Sequence, residues 1–288
     1  MSTHNTSGIY WLASYPKSGN TWFRIVLANL LKQGPIDINQ FSTGKIASSR
    51  PWIEEALGFD SAYLTHDELD QLRPGIYTWL GETLSEPAYH KIHDAYTFVN
   101  DTPLLPKAGC LGALYFIRNP LDVAISYAHH ASKSFDEIIV EMSQPDAAFC
   151  KNKFRYNPQI RQHLLSWSAH AKSWIDNQDI PVHTLRYEDM KNASLETFTQ
   201  AFQFLGLNPS PDALTIALEN ARIDKLQAQE EQDGFREKPF QMKRFFRKGI
   251  VGDWQNLLTE TQIFRIIENH REMMERFGYL NADGTPKL

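Results

Sequence analysis

Tyr15-Pro16-Lys17-Ser18-Gly19-Asn20-Thr21-Trp22 decides how the rest of the chain is placed. An apolar run, Ile9-Tyr10-Trp11-Leu12-Ala13, precedes it and a helical pattern, Phe23 to Leu31, follows it. The order is strand, tight turn, helix, and that order builds an anion site. A helix start leaves backbone N–H groups without internal partners and carries the positive end of the macrodipole, so a phosphate there gains hydrogen bonds and favourable charge together. Lys17 adds a full charge, Gly19 permits close approach of the backbone to a ligand, and Ser18 and Thr21 offer hydroxyl donors. The phosphate loop of nucleotide-binding proteins needs Gly, four residues, then Gly-Lys-Ser/Thr. Here the lysine comes early and Leu12-Ala13-Ser14-Tyr15 supplies no upstream glycine. The stretch is a relative of that loop or an ordinary strand-to-helix turn.

The 288 residues suffice for a substantial core, and 42% hydrophobic with 22% charged residues is ordinary globular composition. A net charge of -5 argues against a general nucleic-acid binder, so an anion site must be a local concentration of Lys and Arg. Cys110 and Cys150 have neither metal spacing nor a disulfide framework, which fits a reducing compartment. Met1 to Gly8 is polar without a signal-like apolar segment, and no apolar run reaches membrane-spanning length. These features predict a soluble, cytoplasmic protein.

After Gly34-Pro35, residues 36–86 read as a helical and loop insertion, with helical patterns over Trp52 to Gly58 and Thr65 to Leu72. Thr65 and Glu68 have capping-box spacing. Trp52, Phe59, Tyr63, Tyr77 and Trp79 either line an acceptor pocket or anchor the excursion to the core. Pro87 to Ala95 reads as a strand and its exit, projecting Lys91 and His93 to one face while Ile92 turns inward. Gly112-Ala113-Leu114-Tyr115-Phe116-Ile117 has the continuous apolar character of a parallel strand covered on both faces. It ends in Arg118-Asn119-Pro120 and a helix through His130, so a second strand delivers a cation to a helix start.

Asn157 to Ile175 reads helical, with Ile160, Leu164, Trp167, Ala171 and Trp174 on one face. A short strand with a polar exit follows over Ile180 to Asp189, then helices over Ser194–Leu205 and Pro211–Ala221, and a last one over Glu260–Phe277. Gln227 to Lys248 shows no regular period and runs into the basic Arg247-Lys248-Gly249. Alternating strands and helices predict an α/β fold, a central parallel sheet flanked by helices with ligands at the carboxyl ends of the strands, in one large or two ordinary domains.

Taken together, these residues resemble the soluble sulfotransferases, which move a sulfonate from 3′-phosphoadenosine 5′-phosphosulfate (PAPS) to an acceptor and release PAP. Tyr15 to Trp22 is similar to the family's 5′-phosphosulfate loop, Ile117 to Tyr127 to its 3′-phosphate segment, and Arg247 to Asn256 to its C-terminal nucleotide loop. The three occur in family order, and the resemblance implies a single domain over 1–288 of P-loop-like, nucleotide-binding architecture. The resemblance implies that Lys17, Ser18, Gly19, Asn20 and Thr21 hold the 5′ end and that Arg118, Ser126, Arg247, Lys248 and Gly249 hold the 3′-phosphate. It places Trp22 and Tyr187 beside the adenine. It also implies His93 as general base, with Lys17 and Lys91 stabilising charge, in a reaction that needs no metal. The implied acceptor is a hydroxyl compound, partly apolar in view of the insertion and of His129 and His130; no nucleic acid or membrane partner is implied.

The chain departs from the family pattern at Asn20, where Thr is usual, and at Ile223, where an aromatic residue is expected over the adenine. The family's dimer motif reads Gln255 to Phe264 here with its Lys, Val and Glu lost, which leaves the oligomeric state open. The insertion and Asp233-Gly234-Phe235-Arg236-Glu237 look more like bacterial members. Two rivals stay open: a small-molecule kinase using the first loop for ATP, and a catalytically silent nucleotide-binding module.

Overall fold

A computed structural model describes residues 7–41, 43–152, 156–239 and 241–287; of the polar N-terminal stretch, residues 1–6 lie outside them. In chain order the elements are β1 (Gly8–Ser14), α1 (Asn20–Lys32), α2 (Arg50–Leu57), α3 (His66–Glu82), β2 (Pro87–Ile92), β3 (Phe98–Val99), β4 (Thr102–Pro103), β5 (Cys110–Ile117), α4 (Pro120–Ala131), α5 (Phe135–Ser143), β6 (Ala148–Phe149), β7 (Gln162–His163), α6 (Trp167–Ile175), β8 (Val182–Arg186), α7 (Tyr187–Asn192), α8 (Ser194–Phe204), α9 (Pro211–Asn220), α10 (Ile223–Asp233), α11 (Trp254–Leu257) and α12 (Glu260–Arg276). β2, β1, β5 and β8 form, in that order, the central parallel sheet that the apolar runs predict. β1 and β2 pair with Leu12 opposite Lys91 and Ala13 opposite Ile92. Apolar side chains of β1 and β5 are almost all buried, as a strand covered on both faces requires.

The chain packs as two compact units. One takes the described residues up to Tyr15 with Gly44–Tyr115 and Pro145–Thr184; the other takes Pro16–Thr43, Phe116–Gln144 and the residues from Leu185 onward. Three of the five divisions fall at or near the carboxyl ends of β1, β5 and β8. In the first unit Trp11 meets Tyr77 edge-on at 5.1 Å, and Trp174 stacks on Tyr115 at 6.0 Å. The fully buried Arg73 is neutralised there by two bonds to Asp94, 3.0 and 2.7 Å, without which its burial would be prohibitive. In the second unit Phe23 of α1 packs on Phe116, Phe198 and Phe202 at 5.0 to 5.5 Å.

Three expectations change. The helix expected from Asn157 starts only at Trp167, capped by the Ser166 hydroxyl. Upstream, Gln162 and His163 pair with Ala148 and Phe149, and Leu165 takes a left-handed φ of 57° that no helix continues through. Ile160 and Leu164 are buried in extended chain, which apolar spacing alone does not separate from a buried helix face. Conversely, part of the aperiodic stretch after Gln227 belongs to helix α10, which runs to Asp233 and stops at Gly234, φ 72°. Its only buried residues are Leu226 and Glu230, so it shows no apolar stripe. In the insertion, the Thr65–Glu68 capping box forms as predicted, but α3 continues past Leu72 and through Pro74 to Glu82. Trp52 and Tyr77 anchor it, Trp52 packing on His90 at 4.9 Å, whereas Phe59, Tyr63 and Trp79 stay exposed.

Candidate active site

The second unit carries the stretches expected to bind anions. Gly19 is the N-cap of α1 with φ 101°, no side chain among the described residues caps this helix, and no acidic residue lies in its first turn. An N-terminus without carboxylate or hydroxyl caps keeps its positive field for an external anion. Gly19 is required by its left-handed φ and by Tyr187, because a Cβ there would sit 2.7 Å from the Tyr187 ring. The close approach is thus first to a protein ring. Lys17 also takes a positive φ, 69°, a strained conformation of the kind that gathers at functional sites. Its ammonium lies 4.2 Å from the centre of the Phe245 ring. Ser18 is buried and its Oγ has no hydrogen-bond partner among the described residues. A buried hydroxyl left so is costly unless a ligand satisfies it.

Arg118 joins all three sequence motifs. Its Nη1 donates to the Lys17 carbonyl at 3.4 Å, its Nη2 donates to the Ile250 carbonyl at 2.9 Å, and its guanidinium lies 4.3 Å over the Tyr187 ring. The buried Nε has no partner among the described residues. Asp122, in the first turn of α4, accepts from Gly252 N and Trp254 N at 2.8 and 3.2 Å and so ties the basic loop to this helix. Ser126 is half-buried farther along α4 and takes no part in these contacts. Arg247 and Lys248 both donate to Asp253, at 2.6 and 2.7 Å. Burial acts to raise the Asp253 carboxyl, yet Lys248 and Arg247 hold it below the usual carboxylate range. Asp253 thus occupies both cations with a protein carboxylate, a latch that motif reading did not single out.

At the residues expected beside an adenine, Trp22 Nε1 donates to the Ala221 carbonyl at 3.0 Å, and Phe198 and Tyr187 meet the indole edge-on at 5.4 and 6.1 Å. Lys191 stands 5.0 Å over the same ring. Trp22 is therefore a held residue with a cation above it, not a bare stacking plate. Ile223 lies beside Gly249, whose Cβ position would be 3.4 Å from it. His130 packs edge-on to Phe245 at 6.2 Å, and burial and then Arg247 lower the pKa of His129; both are tied to the basic loop.

Lys91 and His93 belong to the first unit. Lys91 sits inside β2; its backbone N–H bonds the Lys45 carbonyl and its carbonyl accepts from Ala47 N, so residues 45–47 brace the strand. His93 lies one residue beyond the strand end, its Nδ1 2.8 Å from the Ser14 carbonyl and 3.2 Å from the Ser14 hydroxyl. A carbonyl can only accept, so Nδ1 carries the proton and the lone pair is on Nε2. Ser14 is the last residue of β1, so the base candidate is referenced to the carboxyl end of that strand. Among the described residues no group of three or more His, Cys, Asp or Glu is placed to hold a metal ion. No helix among them is long and apolar enough to cross a membrane.

Residues 9–278 match the sulfotransferase domain, and the chain belongs to the sulfotransferase family, the class of PAPS-dependent enzymes to which the three motifs point. Rat sulfotransferase 2A1 is 25% identical over 279 residues, covering 92% of this chain and 84% of its own. In fold the chain is similar to mouse sulfotransferase SULT7A1 complexed with PAP, with TM-score 0.58, 19% identity and coverage of 96% and 87% of the two chains. Retinol dehydratase in complex with androsterone and the inactive cofactor PAP gives TM-score 0.60 at 17% identity, with coverage of 93% and 80%. The residues present fit a phosphosulfate nucleotide: among the described residues, the helix start is uncapped and both the buried Ser18 hydroxyl and Arg118 Nε are unsatisfied.

Proposed function

We propose that this chain transfers the sulfonate of PAPS to the hydroxyl of a partly apolar small molecule, with His93 as general base. The observation that carries the base assignment is the bond from His93 Nδ1 to the Ser14 carbonyl at 2.8 Å, which leaves Nε2 as the basic atom. In the reaction an acceptor oxygen forms a bond to sulfur while the bond from sulfur to the bridging oxygen breaks. The hydroxyl proton passes to Nε2 and the electron pair leaves on the phosphate of PAP. Such in-line transfer is accelerated mainly by positioning and by charge stabilisation on the departing oxygen. Lys17 and the N–H groups at the start of α1 serve the departing oxygen, and Lys91 serves the sulfonate oxygens. Ser18, Asn20 and Thr21 hold the 5′ end, with Gly19 shaping the turn. Arg118, Ser126, Arg247, Lys248 and Gly249 hold the 3′-phosphate after it displaces Asp253 from the two loop cations. Trp22 and Tyr187 flank the adenine.

Residues 1–288 act as one catalytic domain in this reading, in the cytoplasm, with residues 36–86 bordering the acceptor. The exposed Phe59, Tyr63 and Trp79 of that insertion support an apolar element in the acceptor. Androsterone, in the complex of retinol dehydratase, belongs to that chemical class. The bacterial character of the insertion rests on its sequence alone.

The test is His93→Ala assayed with sulfur-labelled PAPS and a panel of alcohols and phenols. Turnover should fall by about two to four orders of magnitude, the usual contribution of a general base, while PAP still binds. A variant within tenfold of the parent sinks the assignment. Thermal stabilisation by PAP without metal separates this reading from a kinase, which would respond only to ATP with Mg²⁺. A protein that binds PAP yet transfers no label to any acceptor extract would be the silent module.

A further inference from the structure

One face of α6 splints the backbone that carries His93. His170 Nε2 donates to the His93 carbonyl at 3.0 Å, Trp174 Nε1 donates to the Asp94 carbonyl at 3.0 Å, and Ser173 Oγ accepts from Tyr96 N at 3.0 Å. Positions 170, 173 and 174 share one side of a helix, so a single rigid element holds residues 93, 94 and 96 together. The Asp94 carboxylate adds Arg73 and the backbone N–H of His163, at 3.0, 2.7 and 2.9 Å.

His170 is the member of this face that reaches farthest. It is fully buried, and its Nδ1 lies 2.9 Å from the Tyr115 hydroxyl on β5. Because the His93 carbonyl can only accept, Nε2 carries the proton, Nδ1 the lone pair, and Tyr115 donates to it. Burial pushes His170 down to about 3 and Tyr115 well above its ordinary value, so both stay neutral and the chain of donors keeps one sense. The same imidazole meets the Tyr15 ring edge-on at 5.4 Å and 89°. Tyr15 follows Ser14, whose carbonyl holds His93 Nδ1. The backbone of His93 and the strand end that orients its ring are therefore both packed against His170.

We propose that His170 is a positioning residue for sulfonate transfer. It locks the His93 carbonyl and braces the Tyr15 side of the Ser14 contact, so that His93 Nε2 keeps one aim. The proposal rests on the reading of His93 as base. An imidazole that served only to fill the core would affect folding and leave the rate of the folded enzyme alone.

The experiment compares His170→Leu, His170→Gln, Tyr115→Phe and His93→Ala in the full chain, with PAP binding as the measure of folded protein. His170→Leu should lower kcat by about 10- to 100-fold, the scale of a misplaced catalytic group, with KM for PAPS and Kd for PAP within about twofold. His170→Gln, whose amide N–H can donate to the same carbonyl, should recover most of that loss. Tyr115→Phe keeps the rings and removes the donor to Nδ1, leaving a buried lone pair unpaired while the His93 carbonyl still holds the proton on Nε2; the imidazole then loses one of its two anchors, and kcat should fall, though less than in His170→Leu. If His170→Leu does not fold, the Gln and Phe variants decide. Equal kcat in folded His170→Leu, or an unchanged kcat in Tyr115→Phe, overturns the proposal. His93→Ala separates the two ideas: an active His93→Ala removes the base reading itself, whereas an inactive one beside active His170 variants removes only the positioning role. In the His93→Ala background, His170→Leu should cause no further loss if the two act as a unit.

Discussion

The turns into α1 and α4 look alike in sequence and differ in the folded chain. Both follow an apolar strand and both present a cation just before the helix, Lys17 in one and Arg118 in the other. At α1 the N-cap is Gly19, and no side chain among the described residues closes the helix start. At α4 the N-cap Asn119 accepts from Leu121 N at 3.0 Å, and its own N–H is taken by Glu188 at 3.0 Å. The first turn is open to an anion through its backbone; the second has capped itself and offers mainly the Arg118 side chain. A strand-to-helix turn becomes an anion site by what it leaves unsatisfied, and the N-cap residue decides that.

Four substitutions can break or sharpen this contrast. Arg118→Ala should have the largest effect, weakening PAP binding by about 2–3 kcal/mol, the size of one charge-assisted hydrogen bond. Because Arg118 also ties the Lys17 and Ile250 carbonyls together, turnover should drop with it; unchanged PAP affinity by calorimetry would mean α4 binds through its backbone after all. Gly19→Ala should cost about 1–3 kcal/mol of stability through a forced left-handed Ala, and should weaken PAP as the Tyr187 ring is pushed aside. Normal PAP affinity in a stable Gly19→Ala protein would show that the open turn tolerates a Cβ.

The third concerns Glu188, which accepts from Asn119 N and from the Tyr279 hydroxyl. Burial raises its pKa in the folded state, although the Asn119 N–H pulls the other way. A raised folded pKa gives stability that is full below the unfolded value of about 4.3 and declines as pH rises through the folded value, at up to about 1.4 kcal/mol per pH unit. Glu188→Gln should flatten urea-derived stability from about pH 4 upward; a slope like the parent's would clear Glu188 of this role. Asn119→Ala should be the mildest, costing about 1 kcal/mol through removal of the cap, with PAP affinity unchanged. Tighter PAP binding in that variant would reveal a second open helix start.

Much of the candidate site was legible in the chain because it is carried by local sequence. Lys17 to Trp22, Arg118 with Pro120, and Arg247 to Gly249 each sit at a strand exit or in a polar loop whose residue types state their chemistry. The partners were not legible. Asp253 on Arg247 and Lys248 is a close neighbour in sequence, but Phe245 under Lys17, Lys191 over Trp22 and Glu188 at Asn119 come from distant segments, and no spacing rule pairs them. The helix expected over 157–175 failed over 157–166 for the same reason: Leu164 N and Leu165 N bond the Ala147 carbonyl, a long-range pairing that overrides local periodicity.

By itself the sequence determined the alternating α/β order, the buried strands and the residue types at their carboxyl ends, because hydrophobic period and turn chemistry are local properties. Only the tertiary structure decided which helix start stays open, which cations are latched by Asp253, and which nitrogen of His93 bears the proton. Each of those depends on a carbonyl, carboxylate or ring that the fold brings into place. The open turn at Gly19 and the Ser14 carbonyl that orients His93 show the division: the residues were readable, and their hydrogen-bond assignments required the fold.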